Sequence, residues 1–244
     1  MPRIGRNNSS NEGSRGGHAI PASMKGRKLA NRLPHLSPNV DGSFSSDVRG
    51  RTRTITKGSL YQVFRTAGAN VFTVPEGVDS FTVTAIGGGG GSPNGRHTHG
   101  ASSNGGGGGA EVTVTFTEVA PNTQITFTVG AGGASSNFNT HAANGGDTTF
   151  RYDGFGYTAG GGCGGGKAHP SQGTGGSGGV ATGPASATLV HGHTGHRGFQ
   201  QILGCGGVGQ VAPNGQTYGF GASAGNGANG FSGGTGDNGA IIIS

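Results

Sequence analysis

Gly219-Phe-Gly-Ala-Ser-Ala-Gly-Asn-Gly-Ala-Asn-Gly-Phe-Ser-Gly-Gly-Thr-Gly-Asp-Asn-Gly239 runs directly into Ala240-Ile-Ile-Ile-Ser244. Glycine recurs at 227, 230, 233, 236 and 239, every third residue. A three-residue period belongs to the left-handed polyproline-II helix; an α-helix repeats at 3.6 and a strand at 2. Such a helix makes no hydrogen bonds within itself, so a buried copy must satisfy its N–H and C=O groups on neighbouring segments. One strip alone has no partners, and the stretch therefore predicts several others. They are present at Gly87–Gly91, Gly105–Gly109, Gly130–Gly133, Gly160–Gly166 (broken only by Cys163), Gly173–Gly179 and Gly204–Gly209. Positions 173, 176 and 179 keep the same period of three.

Composition weighs against order. The 244 residues include 58 glycines, with only 11% charged and 30% hydrophobic side chains. Glycine-rich chains without patterned strands stay unfolded, because each glycine costs roughly 0.5–1 kcal/mol more than alanine to fix in a regular element. Here the strands exist. Phe81, Val83 and Ala85 alternate with Thr in Ser80–Ile86; Val112, Val114 and Phe116 alternate in Ala110–Val119; Ile125, Phe127 and Val129 alternate in Gln124–Val129. The turn Ala120–Thr123 joins the last two, which predicts a hairpin between them. Asp147–Tyr152 and Phe155–Ala159 flank Asp153-Gly154, a type I′ turn signal. Ile241–Ile243 is expected to be buried, since three exposed isoleucines invite association. The expected fold is mainly β: a small antiparallel β sandwich over about 70–160, closed by the C-terminal strand, with a sheaf of packed polyglycine, polyproline-II-like helices between.

Charge divides the chain in two. Residues 1–70 hold twelve of the sixteen Lys and Arg against Glu12, Asp41 and Asp47, a net +9, and the rest of the chain is net −3. Residues 1–69 therefore read as a basic extended arm and 70–244 as the glycine-rich body. Prolines 2, 21, 34 and 38 interrupt the arm. Met24–Leu33 could form one short basic helix, and Arg51–Thr56 and Leu60–Phe64 short strands. The arm's anchoring set is Arg3, Arg6, Lys25, Arg27, Lys28, Arg32, Arg49, Arg51 and Arg53, suited to an acidic protein surface ahead of nucleic acid. Nucleic acid is not expected for the body. No apolar run approaches the ~20 residues of a membrane span, and the first 28 residues lack the apolar region of a secretory signal.

No catalytic pattern emerges. Gly161–Lys167 nearly spells a phosphate-binding loop, but Ala168 lacks the hydroxyl that holds magnesium and Pro170 opposes the required helix. No carboxylate pair, Ser/His/Asp set or Cys/His dyad stands out, so the protein is expected not to be an enzyme. Cys163 and Cys205 occupy small-residue slots and read as compact fillers, with free thiols expected in a reducing cytoplasm. The candidate binding residues lie in polar segments between glycine tracts. They are Asn94, Arg96, His97, His99, Asn137, His141, Lys167, His169, His191, His193, His196 and Arg197, with the aromatic Tyr218. Amide, imidazole and guanidinium groups of this kind suit a glycan or a polar protein surface. His97-Thr-His99 and His191-Gly-His193 place two rings on one side if the backbone is extended.

Phe72–Gly91, Gly107–Val114, Phe127–Gly133 and the closing Gly-Ala-Ile-Ile-Ile together resemble the glycine-rich domain of bacteriophage tail-fibre and other virion proteins. The glycine tracts are also similar in style to the tips of phage adhesins, built from packed polyglycine helices with receptor-binding loops at one end. The resemblance implies a virion structural protein of tail-fibre or spike type, assembled in the host cytoplasm. Its arm would grip other virion proteins of tail or capsid, and its body would contact a host surface glycan or protein. It further implies a homo-oligomer, a trimer above all, in which His97, His99, His191 and His193 would offer axial ligands to iron or another metal. Capsid decoration, a cement protein or a head fibre is the alternative. An RNA-associated glycine-rich protein is a remote one, echoed by Arg15-Gly-Gly and Phe220-Gly.

Overall fold

The computed structural model describes residues 60–95, 103–167, 174–197, 205–223 and 232–244, and the backbone of three strands within 37–55. The possible helix at Met24–Leu33 and the arm residues Arg3, Arg6, Lys25, Arg27, Lys28, Arg32 and Arg49 lie outside the described residues. The chain divides into two units, Met1–Lys57 and Gly58–Ser244. In the first, β1 (Ser37–Pro38), β2 (Phe44–Val48) and β3 (Arg51–Ile55) form an antiparallel sheet in the order β1-β2-β3. Arg51 and Arg53 sit on β3.

The second unit is all strand and glycine tract among its described residues. Its strands are β4 (Gln62–Phe64), β5 (Gly68–Thr73), β6 (Phe81–Ile86), β7 (Glu111–Phe116), β8 (Gln124–Val129), β9 (Thr148–Tyr152), β10 (Phe155–Ala159), β11 (Ala181–Thr182), β12 (Thr188–Val190), β13 (Gln210–Val211), β14 (Thr217–Tyr218) and β15 (Ala240–Ile243). Two five-stranded antiparallel sheets, β11-β10-β9-β8-β5 and β12-β7-β6-β15-β4, face each other. Every inward position expected from the alternation is buried: Phe81, Val83, Ala85, Val112, Val114, Phe116, Ile125, Phe127 and Val129. Aromatic pairs stitch the two sheets across this core. Phe64 meets Phe127 edge-on at 4.8 Å between ring centroids, and Phe116 meets Tyr157 edge-on at 5.9 Å.

The C-terminal isoleucines are buried on both sides of their sheet. Ile241 and Ile243 join the inner core, while Ile242 packs outward with Ile86, Ala240, Ala212 and Tyr218. The β13–β14 hairpin thus covers the outer face of β15. Asp153 (φ 49°) and Gly154 (φ 78°) make the two left-handed positions of a type I′ turn, and Tyr152 pairs with Phe155 as the sequence suggested.

The expected hairpin between Ala110–Val119 and Gln124–Val129 is not formed. β7 pairs with β6 and β12, whereas β8 pairs with β5 and β9 in the opposite sheet. Alternation fixes which side chains point inward but not which strand lies alongside. Here the chain arches from one sheet to the other through Glu118 and Asn122, both at positive φ, and Asn122 and Thr123 bond the backbone of Val74.

Beyond the sandwich the glycine tracts pack side by side. Along 87–92 the amides of 87 and 90 bond the carbonyls of 110 and 107, those of 88 and 91 bond 146 and 143, and those of 89 and 92 bond 237 and 234. Every third residue returns to the same neighbour, as a threefold helix requires. Tract 105–110 behaves alike, donating to 193–196, 219–222 and 160–163 and accepting from 87–90, 176–179 and 207. Six neighbours surround it. Register also sets direction. Tracts 87–92, 130–134, 160–166, 191–196 and 219–223 leave the sandwich, and 105–110, 142–147, 174–180, 205–209 and 232–239 return, antiparallel to their outgoing partners.

Close approach explains the glycines. A β-carbon added at Gly239, Gly236 or Gly233 would stand 2.2, 2.1 and 2.1 Å from the carbonyl oxygens of Ile86, Gly89 and Ser92 respectively. The three-residue period of the C-terminal stretch is thus the face it turns to tract 87–92; Gly227 and Gly230 lie outside the described residues. The obstructing atoms are backbone and cannot swing aside. Gly233→Val and Gly236→Val are each expected to destabilise the protein by about 3 kcal/mol or more, at the upper end of overpacking costs. Exposed Thr235, replaced by alanine, should stay within about 0.5 kcal/mol of the parent in the same denaturant titration.

Candidate functional site: the distal end of the glycine sheaf

Because tracts alternate outward and back, the described ends of their connections lie away from the sandwich. The chain leaves the described sheaf at Gly95, Lys167, Arg197 and Ser223 and re-enters at Ser103, Thr174, Cys205 and Ser232. The fifth connection, 135–141, is described throughout. The short turns between strands, at 117–123, 153–154, 183–187 and 212–216, lie at the opposite end.

Side-chain and backbone bonds tie the distal connections together. Asn94 Oδ1 accepts the Gly233 N–H at 2.7 Å, and the Asn94 N–H donates to Ser136 O at 2.8 Å. Buried Asn104 donates through Nδ2 to the carbonyls of Gly166 and Lys167, at 3.0 and 3.3 Å. Ser103 Oγ donates to Pro93 O at 2.6 Å. Ser136 Oγ and Thr140 close the 137–140 turn on itself. Held on this base, Asn137, His141, Lys167, His196 and Arg197 are exposed.

The sequence-derived binding set therefore splits. Asn94, Asn137, His141, Lys167, His196 and Arg197 come together at the distal end, with Asn94 spent on holding the backbone. Arg96, His97, His99 and His169 lie outside the described residues. His191 opens its tract beside the sandwich, where its Nδ1 accepts the Ala181 N–H at 3.1 Å, and His193 lies between the two ends. Tyr218 stands apart: it is 2% exposed, at the sandwich end, with the Arg65 guanidinium 5.1 Å from its ring centroid. Residues 191 and 193 do not share a side, because two steps along a threefold helix turn the side chain by two-thirds of a revolution. Among the described residues no group of three or more His, Cys, Asp or Glu is placed to hold a metal.

The near phosphate loop is spent on structure. The amides of 160, 162, 163, 165 and 166 bond carbonyls of neighbouring tracts, and those of Gly161 and Gly164 bond Asp147 Oδ1 and Asn144 Oδ1, both at 2.9 Å. None of 160–166 keeps an N–H to cradle a phosphate. Cys163 and Cys205 are free thiols, and Ser177 Oγ lies 3.1 Å from Cys163 Sγ. Burial holds the Glu111 carboxyl above its ordinary 4.5, against a lowering hydrogen bond from Thr113. No helix among the described residues is long and apolar enough to cross a membrane.

Comparison with known families matches residues 65–242 to the model of a glycine-rich domain. The chain belongs to the glycine-rich domain family. No curated protein matches it. Within this glycine-rich domain, sequence reasoning missed the edge role of four side chains, three amides and one carboxylate. Asn94, Asn144, Asp147 and Asn238 each supply a side-chain oxygen where an outer tract has no neighbouring carbonyl. Their spacing from a glycine run is the available signal, since a side chain that mimics a peptide carbonyl belongs at the edge of the sheaf.

Asn94 gives a direct test. Asn94→Ala leaves the Gly233 N–H without its acceptor and should cost about 1–3 kcal/mol. Asn94→Asp keeps the acceptor and should recover most of that loss in equilibrium unfolding.

Proposed function

We propose that this protein is a non-enzymatic structural component of a bacteriophage particle, of tail-fibre or spike type. The basic N-terminal arm anchors it to other virion proteins, and the glycine-rich body projects and meets the host surface with its distal end. The observation that carries this reading is the polarity of the body. Its polar connections leave one end of the hydrogen-bonded sheaf, while the strand turns occupy the other. Polar residues gathered at the far end of a hydrogen-bonded scaffold are the arrangement by which binding residues are presented. Asn137, His141, Lys167, His196 and Arg197 then supply hydrogen-bonding and cationic contacts to a glycan or polar protein. Oligomerisation as a trimer would multiply a weak contact through effective concentration.

Adsorption of the parent particle measures this. Full-length protein at saturation should slow attachment to host cells, and the triple substitution Lys167→Ala, His196→Ala, Arg197→Ala should lose that effect while keeping its melting temperature. Unchanged adsorption at saturating protein contradicts host contact and leaves capsid decoration, which labelling of particles would locate on the head.

A further inference from the structure

A polar cleft lies at the base of the sheaf, where three chain segments remote in sequence converge. Its volume is about 520 Å3, and it is lined by Arg65, Thr66, Thr217, Tyr218, Asp237 and Asn238. Arg65 and Thr66 follow β4, Thr217 and Tyr218 form β14, and Asp237 and Asn238 end the last tract before β15. The volume falls within the ordinary range for small-molecule sites, about 300–1,000 Å3. Unlike most such sites it is walled by polar groups.

The walls are fixed in advance. The Arg65 guanidinium lies over the buried Tyr218 ring, whose hydroxyl donates to Gln216 Oε1 at 2.7 Å and accepts from Asn214 Nδ2 at 3.1 Å. Asn238 is held at both ends of its amide, accepting the Gly132 N–H at 2.9 Å and donating to Arg65 O at 3.4 Å. The Asp237 backbone is locked into the sheaf through Phe220 O and the Gly89 N–H. Yet among the described residues neither the Arg65 guanidinium nor the Asp237 carboxylate has a side-chain hydrogen bond or an ion pair. A planar fork of donors and a planar pair of acceptors share one cleft, ordered and unspent.

The geometry points to a saccharide-binding site. Asp237 repels an anion and Arg65 repels a cation, so a ligand matched to both carries donors and acceptors without net charge. Adjacent hydroxyls of a pyranose do this, each hydroxyl giving one hydrogen and accepting others. Vicinal hydroxyls meet the guanidinium as acceptors and the carboxylate as donors, with the Thr66 and Thr217 hydroxyls completing the contact. Tyr218, grouped from sequence with the tip, thus serves a site at the opposite end by orienting Arg65. The inference deepens the reading of host contact by naming a ligand class, and it places that ligand at the base of the sheaf.

The test is a glycan array of bacterial and animal surface saccharides probed with labelled full-length protein, followed by titration of the bound saccharide. Wild type should bind at least one uncharged glycan. Asp237→Asn and Arg65→Lys should each weaken it by roughly tenfold or more, the loss expected of a hydrogen bond to a charged group, at unchanged melting temperature. An array without bound saccharide overturns the site. So does binding that survives both substitutions but disappears with Lys167→Ala, an outcome that puts the sugar at the distal end and favours the tip reading alone.

Discussion

The amides of the inner glycine tracts, 87–92 and 105–110, bond carbonyls of neighbouring tracts, and the body depends on that exchange. A polyproline-II strip leaves every backbone group unsatisfied, and a buried unsatisfied group costs about 1–3 kcal/mol. Six consecutive amides, 87–92, would be intolerable alone; distributed over three neighbours they are all met. The same exchange dictates composition. Backbones that close on one another have no room for a β-carbon: one added at Gly109 would stand 2.0 Å from Gly87 O. Residues with side chains are pushed to outward positions, where Asn144, Asp147 and Asn238 act as surrogate carbonyls.

The sheaf does not stand by itself. A net gain of about 0.5–1.5 kcal/mol per hydrogen bond is of the same size as the added entropy of fixing glycine, about 0.5–1 kcal/mol. Little is left over to drive assembly. The sandwich supplies the difference, since each fully buried Val, Ile or Phe contributes about 1.5–3 kcal/mol. It also sets the register, because the tracts are continuations of its strands. β6 runs into 87–92 and 105–110 runs into β7, so the pairing of Ile86 with Glu111 is carried on by Gly87 and Ala110. Direction follows from this continuity, and with it the gathering of polar connections at one end, away from the sandwich.

Much of this was legible in sequence, and the failures share a cause. The period of three at 233, 236 and 239 gave the tract geometry, and alternation gave the inward faces of β6, β7 and β8. Both are local properties, fixed by repeat length alone. Pairing is not local. β7 and β8 present matching inward faces whether they lie side by side or across a core, and the structure takes the second. His191 and His193 share a side only in a strand; they belong to a threefold tract, where two steps carry the second ring to another face. Tyr218 looked like a loop aromatic because its burial depends on Ile86 and Ile242, far away in the chain. The base cleft was invisible for the same reason: Arg65, Thr217 and Asp237 meet only once the sheaf is closed.

Successive amides of tract 87–92 bond three different tracts in rotation. Scalar couplings across hydrogen bonds, measured by NMR on uniformly labelled protein, report donor and acceptor directly. The amides of Gly89, Gly90 and Gly91 should couple to the carbonyl carbons of Asp237, Gly107 and Ala143 in turn. Couplings confined to a single neighbouring segment would contradict the threefold sheaf, as would rapid solvent exchange of all three amides.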